Sequence, residues 1–265
     1  VGHEIVQRHK LEKEFHGSDV GIVVSAAALA HDLGNPPFGH SGEDAIREWV
    51  RTSPAAKAVR RELSPAQRAD IEMFEGNAQG FRVITRLQMP ENPGLRLTCA
   101  TLGAFTKYPR ESRLPAGAKG GVSAKKYGFF QADCPAFAMV AERTGLIARK
   151  GRKCAWWCRH PLAFLVEAAD DICYRLVDFE DGYRLKHLRF GEVRDAFLAV
   201  SNDPKDHDRL AKIDDDGEKI AYLRAKAIGA AIEQSARVFL ENESAILRGE
   251  FDEELLDLIP AADAL

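Results

Sequence analysis

The chain has 265 residues, of which 45% are hydrophobic and 29% are charged, and its formal net charge is −3. This balance is typical of a folded globular protein and excludes a largely disordered chain, while the small net charge gives no general attraction to nucleic acid or to an anionic membrane. No apolar run approaches the length of a transmembrane helix and no secretory leader opens the sequence, so we expect a cytoplasmic protein that does not bind membranes.

The apolar stretch from Val20 to Leu29 predicts a helix, and its small side chains indicate burial on most sides. Two residues of metal-ligand type, His31 and Asp32, follow it directly. Gly34 is predicted to supply a left-handed helix cap, and the two prolines after it cannot continue the helix. The sequence therefore places His31 and Asp32 on the last turn of a helix, at the mouth of a site.

A second pair of candidate functional residues follows this turn. Ser41 is predicted to be the N-cap of the next helix, with Asp44 completing a capping-box-like pair. This places His40 just before that helix and Glu43 in its first turn, where both are candidates for proton transfer. A His-Asp dipeptide alone is a weak motif, and the alternative is that these residues only cap helix ends. The rigid turn between the two pairs favours an active site.

Three more helices are predicted over residues 42–50, 53–63 and 64–88. Ser64 and Pro65 have the pattern of an N-cap followed by proline at the first helical position. Gly76 interrupts the third stretch. Because glycine costs a helix about 1 kcal/mol relative to alanine, we expect a functional or close-packing reason for it.

Three later segments carry positive charge. A short helix over residues 98–105 is followed by Lys107, which is either a solvated cation at the helix end or a phosphate-binding group beside Tyr108. Residues 115–128 are rich in glycine and lysine and predict either a mobile loop that closes over an anion or a plain surface loop. The run from Arg149 to Lys153 is either an exposed turn or a patch for polyphosphate or single-stranded nucleic acid.

The five cysteines are odd in number and irregularly spaced, which argues against a disulfide scaffold and for a reducing compartment. Cys154, Cys158 and His160 are zinc-ligand types, but no fourth ligand follows at the spacing of a zinc finger or ribbon. We therefore do not predict a structural zinc site.

A long helix is predicted from His160 to Tyr183. Asp170, Tyr174 and Asp178 recur every four residues, so they form one stripe on its surface. Burial would mark these carboxylates as functional, because a buried carboxylate needs a cation, a metal or several donors, whereas exposure would make them ordinary surface charge. Further helices are predicted over residues 190–200 and 216–247. The second of these carries Arg224 on an early turn.

Three motifs in this order resemble the HD-domain deoxyguanosine triphosphate triphosphohydrolase (dGTPase) family. They are the segment from His31 to Glu43, the segment from Thr106 to Pro109 and the segment from Glu167 to Tyr174. Residues 126–130 and 159–162 look similar to the family as well. The resemblance covers most of the chain, and three long motifs are far more specific than a His-Asp dipeptide.

The resemblance implies an all-α fold, an HD-domain helical bundle with additional helices, and hydrolysis of dGTP or another dNTP to deoxynucleoside and inorganic triphosphate. It implies one divalent metal ion (Mg, Mn, Fe or Zn), held by His31, Asp32 and Asp170. The implied catalytic residues are His40 and Glu43. The implied substrate contacts are Asn77, Lys107, Tyr108, Tyr174, Asp178 and Arg224. A nucleotide effector and a homo-oligomer are further expectations.

The family's first metal ligand is a His in an Arg/Thr-His-Ser-Leu-Glu-type segment, and neither His3 nor His9 lies in such a segment. The opening residues already have the pattern of mid-helix. We therefore interpret residues 1–265 as a single HD-type phosphohydrolase domain, truncated at both ends, with residues 109–160 as a loop-rich, basic insertion. On this interpretation we expect the chain by itself to bind metal weakly and to be nearly inactive.

With its missing ligand restored, the predicted site has a coherent mechanism. The metal ion activates water and neutralises charge at the α-phosphate, and His40, oriented by Glu43, protonates the leaving 5′ oxygen. Lys107 and Arg224 bind the polyphosphate. One alternative is an HD phosphohydrolase that acts on a nucleoside monophosphate or a guanosine tetraphosphate alarmone. The other is a non-catalytic module that binds nucleotides or single-stranded nucleic acid.

Overall fold

The computed structural model describes residues 1–87, 91, 94–113, 121–149 and 155–265. Within these ranges the chain is all-α, with twelve α-helices, no β-strand and two isolated bridges, so the predicted fold class is confirmed. The helices are α1 Gly2–His9, α2 Gly17–Ala30, α3 Gly39–Thr52, α4 Pro54–Glu62, α5 Pro65–Glu72, α6 Gly76–Arg82, α7 Cys99–Phe105, α8 Cys134–Thr144, α9 Pro161–Arg184, α10 Phe190–Ser201, α11 Lys205–Leu210 and α12 Asp216–Leu247. None of the described helices combines the length and hydrophobicity needed to cross a bilayer.

The chain forms two compact units. The first unit contains Gly2–Val166 and Ala245–Asp252, and the second contains Glu167–Ser244 and Glu253–Leu265. The interpretation as a single HD-type domain with an insertion at residues 109–160 stays a prediction. Several predicted features of that insertion lie outside the described residues: most of the glycine- and lysine-rich segment, the basic residues 150–153, and Cys154.

The core of the first unit is aromatic. Phe81, Phe129 and Phe137 are fully buried, and the rings of Phe129 and Phe137 stack with 4.7 Å between their centroids. Ala27 of α2 packs on this core, where its small side chain allows close approach. On the other side of α2, Leu29 is 88% exposed. The expectation that this helix is buried on most sides is therefore wrong, because it buries one face only.

The second unit has its own core. Leu176 of α9, Val193 of α10 and Leu223 of α12 are fully buried, and each such side chain contributes about 1.5–3 kcal/mol by leaving water. Phe179 of α9 packs edge-on against Phe197 of α10, with 6.0 Å between the ring centroids. These contacts hold α9, which carries the predicted acidic stripe.

Helices with clear local signals lie where the sequence predicts them. The bounds of α9, α10 and α12 match the predicted ranges closely. Ser64 caps α5 as predicted: its hydroxyl accepts from the backbone N–H of Gln67 at 3.3 Å, and Oε1 of Gln67 accepts from the backbone N–H of Ser64 at 3.0 Å. The start of α5 is therefore fixed by its own capping residues, Ser64 and Gln67.

Two predicted helix boundaries are wrong. The helix after the turn begins at Gly39, because Phe38 takes a left-handed conformation with φ of +67°, so Ser41 lies inside α3 instead of capping it. The predicted helix over residues 64–88 is broken, since Glu75 is extended between α5 and α6. The last described part of that stretch, Val83–Leu87, is a π-helical turn.

Candidate functional site

His31 is the C-cap of α2 and Asp32 follows it, so the two residues lie side by side just past the helix and not on its last turn as predicted. Nδ1 of His31 lies 2.6 Å from the carbonyl oxygen of Ala28, and a carbonyl can only accept, so Nδ1 carries the ring proton. Nε2 is then the lone-pair nitrogen of the neutral ring, and it lies 3.3 Å from Oδ2 of Asp32. Nδ2 of Asn35 donates to Oδ1 of Asp32 at 2.8 Å. Supporting bonds of this kind orient metal ligands.

Close backbone packing fixes this turn against α6. Gly34 has φ of +105°, and a Cβ atom there would lie 2.1 Å from the backbone nitrogen of Gly80. A Cβ atom on Gly80 would lie 2.0 Å from the carbonyl oxygen of Leu33, and one on Gly76 would lie 2.3 Å from Oδ1 of Asn35. The close-packing reason expected for Gly76 is therefore confirmed.

Two buried carboxylates and two cations lie next to this turn. We call Glu43, Arg47, Glu75 and Lys126 the charge cluster; its two carboxylates are only 2% and 3% exposed. A terminal nitrogen of Arg47 lies 3.2 Å from Glu43 and 3.4 Å from Glu75. Nζ of Lys126 lies 3.1 Å from Glu75 and 3.9 Å from Glu43. Each cation thus bridges both carboxylates, which is what buried charge requires.

The two carboxylates differ in their surroundings. Burial raises the pKa of Glu75 above its ordinary value, and the nearby charge of Glu43 adds to this while Lys126 opposes it. Glu43 accepts a hydrogen bond of 2.6 Å from the backbone N–H of Gly76. The first N–H of α6 therefore has its hydrogen-bond acceptor on Glu43, a residue distant in the chain. Because this N–H needs no acceptor in α5, the helix can break between α5 and α6.

His40 reaches the charge cluster through Lys126. It lies in the first turn of α3, where Nε2 of its ring is 3.1 Å from Nζ of Lys126. The hydrogen bonds of Glu43 go to Gly76 and Arg47 instead of His40. The predicted orientation of His40 by Glu43 is therefore indirect and runs through Lys126. The catalytic roles of His40 and Glu43 stay predictions.

Three predicted substrate contacts lie in the same unit. Nδ2 of Asn77 donates to Oε1 of Glu75 at 3.2 Å, so Asn77 lies at the charge cluster. Nζ of Lys107 lies 5.8 Å from the ring centroid of Tyr108, within cation–π range, and Tyr108 is buried. The structure thus gives all three side chains defined surroundings, and their contact with a substrate stays a prediction.

The other predicted site residues lie in the second unit. Asp170 of α9 is half-buried, Tyr174 is 70% exposed and Asp178 is exposed. Arg224 of α12 forms an ion pair with Glu180, a buried carboxylate of α9. Because Asp178 is exposed, its carboxylate has the surroundings of an ordinary surface charge. Arg224, in contrast, pairs with a buried carboxylate.

The structure brings two of the three predicted metal ligands together, His31 and Asp32 in the first unit, and Asp170 belongs to the second. Among the described residues, no group of three or more His, Cys, Asp or Glu side chains has positions that could hold a metal ion. Nε2 of His31 and the carboxylate of Asp32 are both acceptors, and two acceptors this close favour a cation or a proton between them. The pair therefore fits a metal, and the full ligand set stays a prediction.

Arg149 is the described residue of the predicted basic run. Its guanidinium lies 3.1 Å from Oδ2 of Asp252 and 5.1 Å from the ring centroid of Trp156. These contacts lie inside the first unit, so Arg149 has a structural role there. Binding of single-stranded nucleic acid by this run stays a prediction.

Sequence reasoning missed Arg47, Glu75 and Glu180. Arg47 had a local signal, since it follows Glu43 by one helical turn, the spacing of an intrahelical ion pair. Glu75 directly precedes Gly76, the glycine that interrupted a helical pattern. Glu180 had the same kind of local signal, since Arg184 follows it by one helical turn and pairs with it at 2.8 Å, but its pairing with Arg224 of α12 had none.

No protein-family model matches the chain. A protein of Synechocystis sp. named deoxyguanosinetriphosphate triphosphohydrolase-like protein is 48% identical over 97% of this chain and 58% of its own length. A protein of Pseudomonas aeruginosa with the same name is 41% identical over 95% of this chain and 56% of its own length. A Yersinia pestis protein named deoxyguanosinetriphosphate triphosphohydrolase is 27% identical over 99% of this chain and 59% of its own length. The chain thus spans little more than half the length of these relatives.

Proposed function

We propose that this chain, which belongs to the deoxyguanosinetriphosphate triphosphohydrolase-like family, carries catalytic residues of an enzyme that hydrolyses a deoxynucleoside triphosphate to deoxynucleoside and inorganic triphosphate. The family assignment rests on identities of 48% and 41% over at least 95% of the chain. The relatives' names support a triphosphohydrolase-like activity. The substrate, dGTP or another dNTP, is part of the proposal because the chain spans only part of each relative.

The observation that carries the proposal is the turn between α2 and α3. On one side of it His31 and Asp32 present adjacent acceptors, and on the other side His40 contacts the ammonium group of Lys126. Packing of Gly34 against Gly80 fixes the turn between them. The rigid turn thus supports a proposal in which His31 and Asp32 bind a cation and His40 transfers a proton close by, as hydrolysis of a phosphate ester requires.

The proposed cofactor is one divalent metal ion, Mg, Mn, Fe or Zn. Nε2 of His31 and Oδ2 of Asp32, 3.3 Å apart, fit a cation, and Asp170 is the third proposed ligand by match of motif. When bound, the ion would neutralise charge on the phosphates and make water a better nucleophile.

The chain's own residues account for the remaining steps. His40 protonates the leaving 5′ oxygen, and the charge cluster that includes Glu43 fixes its surroundings. Lys107 and Arg224 bind the polyphosphate. Tyr174 lies one turn from Asp170 and contacts the deoxyribose where a 2′-hydroxyl would need room. The other proposed substrate contacts are Asn77, Tyr108 and Asp178. A nucleotide effector and a homo-oligomer remain proposals that no observation here specifies further.

Product analysis tests the proposal. Purified full-length protein is incubated with each dNTP, each NTP, a nucleoside monophosphate and guanosine tetraphosphate in the presence of Mg²⁺ or Mn²⁺, because the chain by itself is expected to be nearly inactive. The products are identified by chromatography and ³¹P NMR. We expect equimolar deoxynucleoside and intact triphosphate from at least one dNTP. Release of pyrophosphate or orthophosphate instead, or turnover of only the monophosphate or the alarmone, would contradict the proposal.

A further inference from the structure

We infer that Glu75 is a positioning residue that, together with Glu43, holds the ammonium group of Lys126 against His40 and so fixes which nitrogen of the His40 ring carries the proton. The catalytic consequence of this inference rests on the proposed function, whereas the arrangement itself does not. None of the roles implied by the family motifs falls on Glu75.

Glu75 is part of the packed interior. Its side chain is buried in an extended segment just before α6, and both of its carboxylate oxygens have partners. Oε1 lies 3.1 Å from Nζ of Lys126 and accepts from Asn77 at 3.2 Å. Oε2 lies 3.4 Å from Arg47. A carboxylate is retained in such a place only when cations and donors surround it, so Glu75 and Lys126 hold each other in position.

Lys126 is the link between the buried carboxylates and His40. Its Nζ atom lies 3.1 Å from Glu75, 3.9 Å from Glu43 and 3.1 Å from Nε2 of His40. The fourth charged member of the cluster, Arg47, is also paired with Asp44 at 2.9 Å. Two carboxylates therefore draw the ammonium group to one point, and that point is within hydrogen-bond distance of the His40 ring.

The chemistry of the two groups settles the direction of this hydrogen bond. An ammonium group can only donate, so Nε2 of His40 accepts, and the single proton of the neutral ring is on Nδ1. During turnover the Nδ1–H bond breaks as the leaving 5′ oxygen gains that proton. At the same time Nε2 takes a proton from Nζ of Lys126, so the ring stays neutral. The starting state returns when Nδ1 takes a proton from water and Nε2 gives its proton back to the lysine amine.

NMR tests the arrangement without any substrate. Long-range ¹H–¹⁵N spectra of protein labelled with ¹⁵N-histidine report the tautomer of each ring, and His40→Gln identifies the His40 signals. We expect the Nδ1–H form in the wild type at pH 7.5. Glu75→Gln, which is isosteric, and Lys126→Met should each populate the Nε2–H form. Asp133→Asn, which alters another buried carboxylate of the same unit, should leave these signals unchanged.

Kinetics of the full-length protein then test the catalytic consequence. Glu75→Gln should lower kcat by about 10- to 100-fold and change KM by less than about threefold, because Lys126 loses its position while the proposed substrate contacts remain. A wild-type ring in the Nε2–H form, or a tautomer unchanged in both variants, would overturn the inference, and an unchanged kcat would overturn its catalytic part. If the tautomers are as expected but the full-length wild type releases no triphosphate, the proposed function fails and the arrangement stands.

Discussion

His31 and His40 lie on two sides of one turn, and their ring nitrogens have different partners. His31 donates to the backbone carbonyl of Ala28 and faces the carboxylate of Asp32, whereas His40 accepts from the ammonium group of Lys126. A carboxylate beside the lone pair of a histidine suits a metal ligand, and a lysine there suits proton transfer. Removing the two rings should therefore affect the proposed metal binding and the proposed activity in different ways.

In the full-length protein, His31→Ala should abolish both bound metal and turnover. His40→Ala should keep the metal and lower kcat by about 10²- to 10⁴-fold, the usual contribution of a positioned general acid. Elemental analysis after dialysis measures the metal, and steady-state kinetics measure kcat. His207→Ala, which removes an exposed histidine of α11, is the matched control and should change neither. If His40→Ala loses its metal, or only raises KM, His40 is not the acid.

The sequence indicated single candidate residues of the site but not the partners that surround them. The pattern of ligand types around a Gly/Pro turn was enough to mark His31, Asp32 and His40. It was not enough to mark Glu75, because burial of its carboxylate depends on Arg47 and Lys126, which approach from distant parts of the chain. Pairings of this kind are fixed by the folded backbone, and local periodicity contains no information about them.

Among the elements, α6 has the closest contact with the candidate site. Its glycines pack directly on the backbone of the turn, so that any added Cβ atom at Gly80 would overlap the carbonyl of Leu33 and approach the ring of Phe105 at 2.9 Å. Close packing leaves no room for such a group without backbone movement. The position of the turn, and with it that of His31, thus depends on the absence of a side chain in α6.

Gly80→Ala should lower the free energy of unfolding by about 1–3 kcal/mol or more and should reduce activity in the molecules that fold. Gly21→Ala is the matched control, since a Cβ atom there would meet nothing within 4 Å and the residue lies inside α2. It should raise stability by about 0.5–1 kcal/mol, as alanine does in a helix interior. Denaturant melts of both variants provide the comparison. Equal changes in the free energy of unfolding in the Gly80→Ala and Gly21→Ala variants would show that the turn and α6 are not packed as described.

The helices α9, α10 and α12 were predicted from local signals. The hydrophobic periodicity and the end signals of each helix are contained in that helix's own sequence. The start of α3 and the break before α6 were not predictable in this way. The first depends on a left-handed Phe38, an uncommon conformation for a bulky residue, and the second on a hydrogen bond between Glu43 and Gly76.

Considered as a whole, the molecule buries several carboxylates. Burial raises the pKa of Asp70, Glu75 and Asp133 above the ordinary values of these groups, although Arg82 and Arg86 partly oppose this at Asp133. A carboxyl group with a raised pKa in the folded state is less favourable when ionised. The free energy of unfolding that is lost by ionising the buried group is lost in full at pH values above its pKa in the folded state. The loss becomes smaller as the pH falls below that pKa.

Asp133→Asn tests this point, because Asp133 is fully buried and lies 3.3 Å from each of its two arginine partners, which are themselves partly exposed. At pH 7.5 we expect the free energy of unfolding to stay equal or to rise by about 1 kcal/mol, which corresponds to a Tm higher by roughly 2–4 °C. The gain should shrink as the pH is lowered toward the ordinary pKa of an aspartic acid side chain. Thermal melts across this pH range give the answer. A clear loss of stability at pH 7.5 would show that the ion pairs outweigh the cost of burial.

For the whole molecule we propose that water attacks the α-phosphorus of a deoxynucleoside triphosphate and that the 5′ oxygen leaves with the nucleoside. Turnover in H₂¹⁸O, followed by mass spectrometry of both products, tests it most directly. Our account predicts one ¹⁸O atom in each intact triphosphate and none in the deoxynucleoside, because the new bond forms at phosphorus and the carbon–oxygen bond is untouched. Label in the deoxynucleoside, or in a pyrophosphate or orthophosphate product, would contradict it.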